Sequence, residues 1–252
     1  MNTKVEDLID NLVSIVMPAY NCQDTILDSI ESVRQQTYQF FELIIVDDGS
    51  SDNTYQVIKR FKDFPNIKII RSKINRGIGF TRNIAISKAR GQYIAFLDSD
   101  DTWHKDKLKI QINLMKNNNY FCCHSSYTRI EINSDKKKAI KAEKIIRKSD
   151  MLKGNKIGNL TGIYDAKKIG KVFQKEVGHE DYLMWIQIVN LAKFSYGCIE
   201  NLAYYTVSKK GVSSNKLKSI FWTWNIYRNE LKMNLFNSFI SLISYFLFII
   251  NR

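Results

Sequence analysis

Hydrophobic positions in the first hundred residues fall into short continuous runs, separated by stretches with helical periodicity. Val13-Ser14-Ile15-Val16-Met17 is a largely β-branched run that stops at Pro18, and it predicts a buried strand. Thr25 and Asp28 stand in capping-box spacing, ahead of Ile26, Ile30 and Val33 on one helical face. Leu43-Ile44-Ile45-Val46 predicts a second strand ending in Asp47-Asp48-Gly49-Ser50, and Asp52 is placed to cap a helix that turns Val57 and Phe61 inward. Ile67-Lys68-Ile69-Ile70 predicts a third strand. A helix from Gly79 to Arg90 should close on Gly91 as its C′ glycine, before a fourth strand at Tyr93-Ile94-Ala95-Phe96-Leu97.

Apolar strands alternating with helices predict an α/β fold with a mixed, mostly parallel sheet flanked by helices. Such sheets bind ligands beyond the carboxyl ends of their strands. Ala19-Tyr20-Asn21, Asp47-Asp48-Gly49 and Asp98-Ser99-Asp100 should therefore share one crevice. After Trp103 the pattern loosens. A helix is expected over Lys107 to Met115, one or two strands over Tyr120 to Ile132, and a helix over Leu183 to Ala192. The tract from Lys136 to Lys156 carries nine Lys/Arg against Glu143 and Asp150, and reads as an exposed helix or loop. From Phe221 onward the chain reads as amphipathic helix, with Trp222, Trp224 and Tyr227 ahead of the almost wholly apolar Phe236 to Ile250. Spanning a bilayer takes about 20 such residues, so this end suits an interface better than a span.

Charge changes the picture of the second half. Residues 1–125 hold 16 Lys+Arg and 15 Asp+Glu, whereas residues 126–252 hold 22 and 10. A basic half attracts phosphates, whether of a membrane, a lipid diphosphate or a nucleic acid. Cys22, Cys122, Cys123 and Cys198 have no CxxC spacing and make no disulfide framework. Glu6, Asp7 and Asp10 interrupt the N-terminal apolar residues, so no signal peptide is read and a cytoplasmic chain is expected. A nucleic-acid-binding protein is disfavoured by the balanced, acid-lined first half and the lack of a recognised motif. The glycine-rich phosphate loops of dinucleotide and P-loop enzymes are missing, since the first strand ends in Pro18-Ala19-Tyr20-Asn21.

Asp98-x-Asp100 at a strand end suits a hard divalent cation, Mn²⁺ or Mg²⁺, held with diphosphate oxygens. Glu180 and Asp181 precede a helix, where anions are favoured; either could cap it while the other takes a proton. In chain order stand Met17-Pro18-Ala19-Tyr20-Asn21, Asp47-Asp48-Gly49-Ser50-Ser51-Asp52-Asn53-Thr54, Asn75-x-Gly77 with Arg82-Asn83, and Asp98-Ser99-Asp100-Asp101. So spaced, they resemble the family 2 glycosyltransferases of bacterial surface-polysaccharide pathways, which have the GT-A fold. The likeness is detailed over 13–104 and continues through Gly178-His179-Glu180-Asp181-Tyr182-x-x-Trp185.

That resemblance implies an inverting transfer from a nucleotide-sugar, with UDP as the expected nucleotide, to an acceptor hydroxyl. The acceptor would be a lipid-linked oligosaccharide, with a protein or a polyol-phosphate polymer as the alternative, and the enzyme would sit on the cytoplasmic face of the inner membrane. It implies that Pro18, Ala19, Tyr20, Asp48, Arg82, Asp98 and Ser99 bind the nucleotide-sugar, with Asp48 reading the uracil and Arg82 reaching the base or diphosphate. Asp100 would bind the metal directly, with Asp98 near the ribose and the metal waters. Asp181 would be the base, with Glu180 beside it and His179 structural. The expected organisation is a GT-A domain over 1–218, with a nucleotide-sugar part over 13–104 and an acceptor part over 105–218, and an apolar helical segment over 219–252. One departure stands out: the family's Arg-x-His loop corresponds to Tyr205-Thr206-Val207-Ser208 and Val212-Ser213-Ser214-Asn215-Lys216, which has no histidine. Lys209, Lys210 or Lys216 would then meet the diphosphate.

Overall fold

The structure, a computed structural model, describes residues 8–131, 136–207 and 216–250. The amino-terminal half alternates β1 (Ile9–Ala19), α1 (Ile26–Arg34), β2 (Phe41–Asp47), α2 (Thr54–Lys59), β3 (Ile67–Arg71), α3 (Ile78–Lys88) and β4 (Gly91–Phe96). β1 lies between β2 and β4, and β2 pairs with β3, all in parallel. Every residue of β2 is buried, as a strand covered by helices on both faces must be. Val13, Ile15 and Met17 point to one side with Ile26, Ile30 and Val33 of α1, whereas Val16, Ile44 and Phe96 point to the other with Ala85 and Ile86 of α3.

The second half extends the same sheet. β5 (Thr102–Trp103), α4 (Lys107–Asn118), β6 (Cys122–Glu131), β7 (Lys137–Ile140), β8 (Ile145–Ile146), α5 (Lys148–Met151), β9 (Ile163–Asp165), α6 (Ala166–Ile169), α7 (Glu180–Ala192) and β10 (Ser195–Val207) follow. The order across the sheet is β3-β2-β1-β4-β9-β6-β10-β5, with β9 antiparallel to both β4 and β6. α8 (Lys216–Asn225) leads through a π turn at Ile226–Glu230 into α9 (Leu235–Ile250). The fold is thus the expected mixed, mostly parallel sheet with helices on its faces and at the carboxyl end.

Several local expectations differ from the structure. Thr25 makes no side-chain cap; its hydroxyl donates to the Ser99 carbonyl at 2.9 Å and ties α1 to the turn after β4. Asp52 does accept from the Thr54 amide at 2.9 Å. Gly91 is not a helix C′ residue, because α3 ends at Lys88 and Gly91 opens β4. A glycine is needed there since a Cβ would lie 2.7 Å from the Ser14 nitrogen of β1. The basic tract is neither one helix nor a loop: it forms β7 along β6, β8 along β10, and short α5.

Candidate active site

Backbone amides and carboxylates organise the mouth of the crevice. Asp47, at the end of β2, accepts from the Ser50 amide at 3.2 Å and faces Arg71 at 3.3 Å, closing the turn. Asp48 is buried and accepts from the amides of Arg76 (3.0 Å) and Gly77 (2.9 Å). It therefore pins the segment between β3 and α3 against the end of β2. At the end of β1, Ala19 is buried and Tyr20 is 49% exposed beside this crevice.

Arg82 on α3 is the hub beneath. Its Nη2 donates to both oxygens of Asp98, at 2.7 and 2.9 Å. Its Nη1 lies 3.4 Å from Glu180 Oε1 and 3.5 Å from Gln174 Oε1. The guanidinium is buried, and these carboxylates raise its pKa against the opposing effect of burial. One cation thus joins the end of β4 to the start of α7.

Acidic side chains outnumber that cation. Asp100 is open to solvent at the turn after β4, yet protein on most sides and the Asp98 charge push its carboxyl up to about 6. Asp101 is buried, and burial followed by the Asp100 and Asp98 charges holds its carboxyl well above the usual range. Its Oδ1 accepts from the Thr206 amide of β10 at 2.8 Å, and its Oδ2 has no hydrogen-bond partner among the described residues. Across the cleft, Glu180 turns to Arg82, whereas Asp181 faces a cavity of about 390 Å³. Burial and the Asp181 charge raise Glu180, opposed by Arg82. Asn155 Nδ2 lies 3.5 Å from Asp181 Oδ2. Asp98, Tyr127, Arg129, Tyr205 and Tyr245 also line this cavity, so the crevice and the cavity are continuous.

Residues 14–171, more than half of the chain, match the sequence profile of Glycosyl transferase family 2. The chain belongs to that family. It is 38% identical over 220 residues to the UDP-Glc:alpha-D-GlcNAc-diphosphoundecaprenol beta-1,3-glucosyltransferase WfgD of Escherichia coli, covering 86% of this chain and 85% of WfgD. With WfaP of Escherichia coli, whose name gives the same reaction, it is 36% identical over 220 residues, 86% of each. Among solved structures it resembles S. aureus TarS 1-349 in complex with UDP, with a TM-score of 0.69 and 21% identity over 86% of this chain and 65% of that one. It also resembles the mannosyltransferase PcManGT from Pyrobaculum calidifontis in complex with GDP-Man and Mn²⁺, with a TM-score of 0.66 and 16% identity over 92% and 68%. These two likenesses bear on the fold.

In this glycosyltransferase two of the expected site residues are tied to each other. The Arg82 guanidinium is bonded to Asp98, Glu180 and Gln174. Asp98 has both oxygens on Arg82. Among the described residues no group of three or more His, Cys, Asp or Glu side chains is arranged to hold a metal. The donor set nonetheless fits a hard cation carried largely by a diphosphate, a mode that needs only one or two carboxylates. Asp100 is the exposed oxygen donor, and the acid surplus at this turn calls for positive charge.

His179 has left-handed backbone (φ 60°) ahead of α7, packs edge-on to Trp222 and lies 3.5 Å from the Tyr245 hydroxyl, as a structural residue would. Lys209, Lys210 and the Val212–Asn215 stretch lie outside the described residues, as does the Lys216 side chain. Sequence reasoning missed Arg129, Asn155 and Tyr245. Only the strand alternation of β6 could have pointed to Arg129; Asn155 and Tyr245 reach the cavity through tertiary packing.

Proposed function

We propose that this glycosyltransferase moves one sugar, with inversion, from a UDP-sugar to a hydroxyl of a saccharide carried on a lipid diphosphate, in surface-polysaccharide synthesis at the cytoplasmic membrane face. The observation that carries the reading is the division of labour at the start of α7. Glu180 is bound to Arg82, while its neighbour Asp181 faces the cavity that opens onto Asp98. The names of WfgD and WfaP support the donor and acceptor classes. The basic second half supports an anionic membrane partner.

In this reading the acceptor sugar lies against Tyr127, Tyr205 and Tyr245, with its hydroxyl at Asp181. Asp181 takes the hydroxyl proton as the oxygen bonds to the anomeric carbon. The bond from that carbon to the diphosphate oxygen breaks on the opposite side, and the nucleoside diphosphate leaves with the electron pair. Arg82 holds Asp98 oriented toward the donor. Asp48 holds the 72–77 segment as a wall for the base, with Ala19 and Tyr20 opposite and Pro18 and Ser99 framing the ends of β1 and β4. A divalent cation held by Asp100 would offset charge on the departing diphosphate. The test is a panel of nucleotide-sugars assayed for metal-dependent nucleoside diphosphate release onto lipid-linked saccharides, with the anomeric configuration of the product read by NMR. Retention at the anomeric carbon, or a strong preference for GDP-sugars, would overturn it.

A further inference from the structure

The C-terminal helix α9 has two faces with different jobs. Its inner edge belongs to the cavity that holds Asp181: Tyr245 is buried there, and Phe248 and Ile249 line the same walls. The Tyr245 ring also packs, tilted, against Tyr182 of α7, with centroids 6.1 Å apart. Phe248 lies over Gly154, where any Cβ would collide with its ring. The helix is thereby seated on the segment that follows α5, next to Asn155, the neighbour of Asp181.

The outer face is bare. Phe236, Phe239, Ile240, Ile243, Phe246, Leu247 and Ile250 recur at helical spacing and are each 44% to 72% exposed. No charged residue interrupts the helix. Phe221, on the neighbouring α8, is 69% exposed. A contiguous apolar stripe of this kind marks a protein or membrane contact. No helix of the described residues is long and apolar enough to cross a membrane. Sixteen residues of helix reach about 24 Å, short of the ~30 Å hydrocarbon core. The charge around the stripe selects its partner. Lys153, with a 60% exposed side chain, adjoins Gly154 under α9, and Lys218 lies on α8 within the half that carries 22 Lys/Arg against 10 Asp/Glu. An apolar helix set in a basic surround suits an anionic bilayer, and a second copy of the same basic surface would repel it.

We infer that α9 docks its outer stripe in an anionic bilayer surface while its inner edge walls the acceptor cavity, so one helix brings Asp181 to the lipid interface. The acceptor class that follows is an amphiphile: a saccharide diphosphate whose apolar tail stays in lipid along α9 while its head enters the cavity, where Arg129 meets the diphosphate. The acceptor part rests on the function proposed above; the docking part does not.

The experiment uses the full chain with phosphatidylglycerol or phosphatidylcholine vesicles. The protein should sediment with the anionic vesicles and be released by high salt. The variant Phe239→Ser/Ile243→Ser/Leu247→Ser should lose at least about tenfold in vesicle affinity. It should keep UDP–Mn²⁺ binding, which also reports its folding. Phe248→Ala should sediment normally, yet raise KM about tenfold for an N-acetylglucosaminyl diphosphate bearing a decyl chain, with donor KM unchanged. Full vesicle binding by the triple variant overturns the docking, as does a wild-type dimer in the absence of lipid that the triple variant cannot form. If the wild type docks through the stripe but uses no lipid-linked saccharide, docking stands and the acceptor reading falls.

Discussion

The side chains of this site act through their neighbours, and each expected role has a separable consequence. Asp100 has a raised carboxyl, and a metal ligand must be deprotonated. Mn²⁺-dependent UDP binding should therefore weaken as pH falls through about 6, approaching tenfold per pH unit below it. Titration calorimetry in two buffers of different ionisation heat checks both the slope and the proton release. Asp100→Ala should abolish the metal dependence while the protein stays folded; unchanged affinity would sink the assignment. The stability effect has the opposite sign. A carboxyl raised in the fold favours the folded state at low pH, and that contribution is lost as pH rises through about 6. Asp100→Asn should thus leave the metal-free protein as stable or slightly more stable near neutrality, a small effect because the group is solvent-screened. Asp181→Asn should lower kcat by roughly 10²-fold or more with donor binding intact. Glu180→Gln should instead act mainly through Arg82, reducing the melting temperature as well as activity, and a larger kcat loss from Glu180→Gln alone would move the base by one residue. Arg82→Ala leaves two partly buried carboxylates unpaired and should cost about 3–5 kcal/mol, measured by urea denaturation. The chain order announced Asp98, Asp100 and Asp181. It did not announce Arg82's commitment, because Glu180 stands 98 positions away and only the packing of α3 against α7 brings them together.

At the scale of elements, what was legible in the sequence were the segments whose signal is local. Leu43–Val46 and Tyr93–Leu97 are hydrophobic throughout, and Val13–Met17 is so apart from Ser14, because helices cover both faces of their strands. β7 and β8 gave no such signal. The β7 lysines are exposed, and the strand character comes from pairing: β7 with the preceding β6, and β8 with β10, much later in the chain. The Thr25 cap failed for a related reason: the Ser99 carbonyl, 74 residues away, takes its hydroxyl. Asp101 shows how one such long-range bond joins elements. It fastens the turn after β4 to Thr206 near the end of β10, with a carboxyl that burial and its acidic neighbours keep well above the usual range. A protonated carboxyl and an amide have nearly the same shape here, and both keep an acceptor for the Thr206 amide. Asp101→Asn should therefore keep or raise the wild-type melting temperature near neutrality, whereas Asp101→Ala strands the amide and should cost about 1–3 kcal/mol. If Asp101→Asn is as damaging as Asp101→Ala, the carboxyl is ionised and its charge matters. The sign agrees: with a raised folded pKa, stability falls as pH rises above the unfolded carboxylate range, so replacing the ionisable group removes a cost already felt near neutrality.

In the proposed reading the whole molecule divides function along the sheet, with a charge-balanced donor half ending in Asp98–Asp101 and a basic second half carrying the cavity and α9. The net charge of +13 by itself would equally suit a polyanion-binding protein, so the two readings need a measurement in which they differ. Ligand linkage supplies one. A ligand at about 100 times its dissociation constant stabilises the fold that binds it by about 2.7 kcal/mol. For a chain of this size each kcal/mol moves the melting temperature by about 2–4 °C, so saturating UDP with Mn²⁺ should raise it by roughly 5–10 °C. UDP with a chelator should give much less, because the acid surplus at the end of β4 then faces the diphosphate uncompensated. GDP or ADP with Mn²⁺ should fall between, since they share the diphosphate but mismatch the wall formed by Tyr20 and the Asp48-pinned segment. Duplex DNA or RNA should shift it little at about 0.15 M salt, where screening removes contacts with dispersed surface lysines. A shift with nucleic acid that exceeds the UDP–Mn²⁺ shift would make the basic half the principal binding surface. Equal shifts with all three nucleoside diphosphates would leave the metal–diphosphate arrangement standing while removing Asp48 and Tyr20 as the determinants of the base.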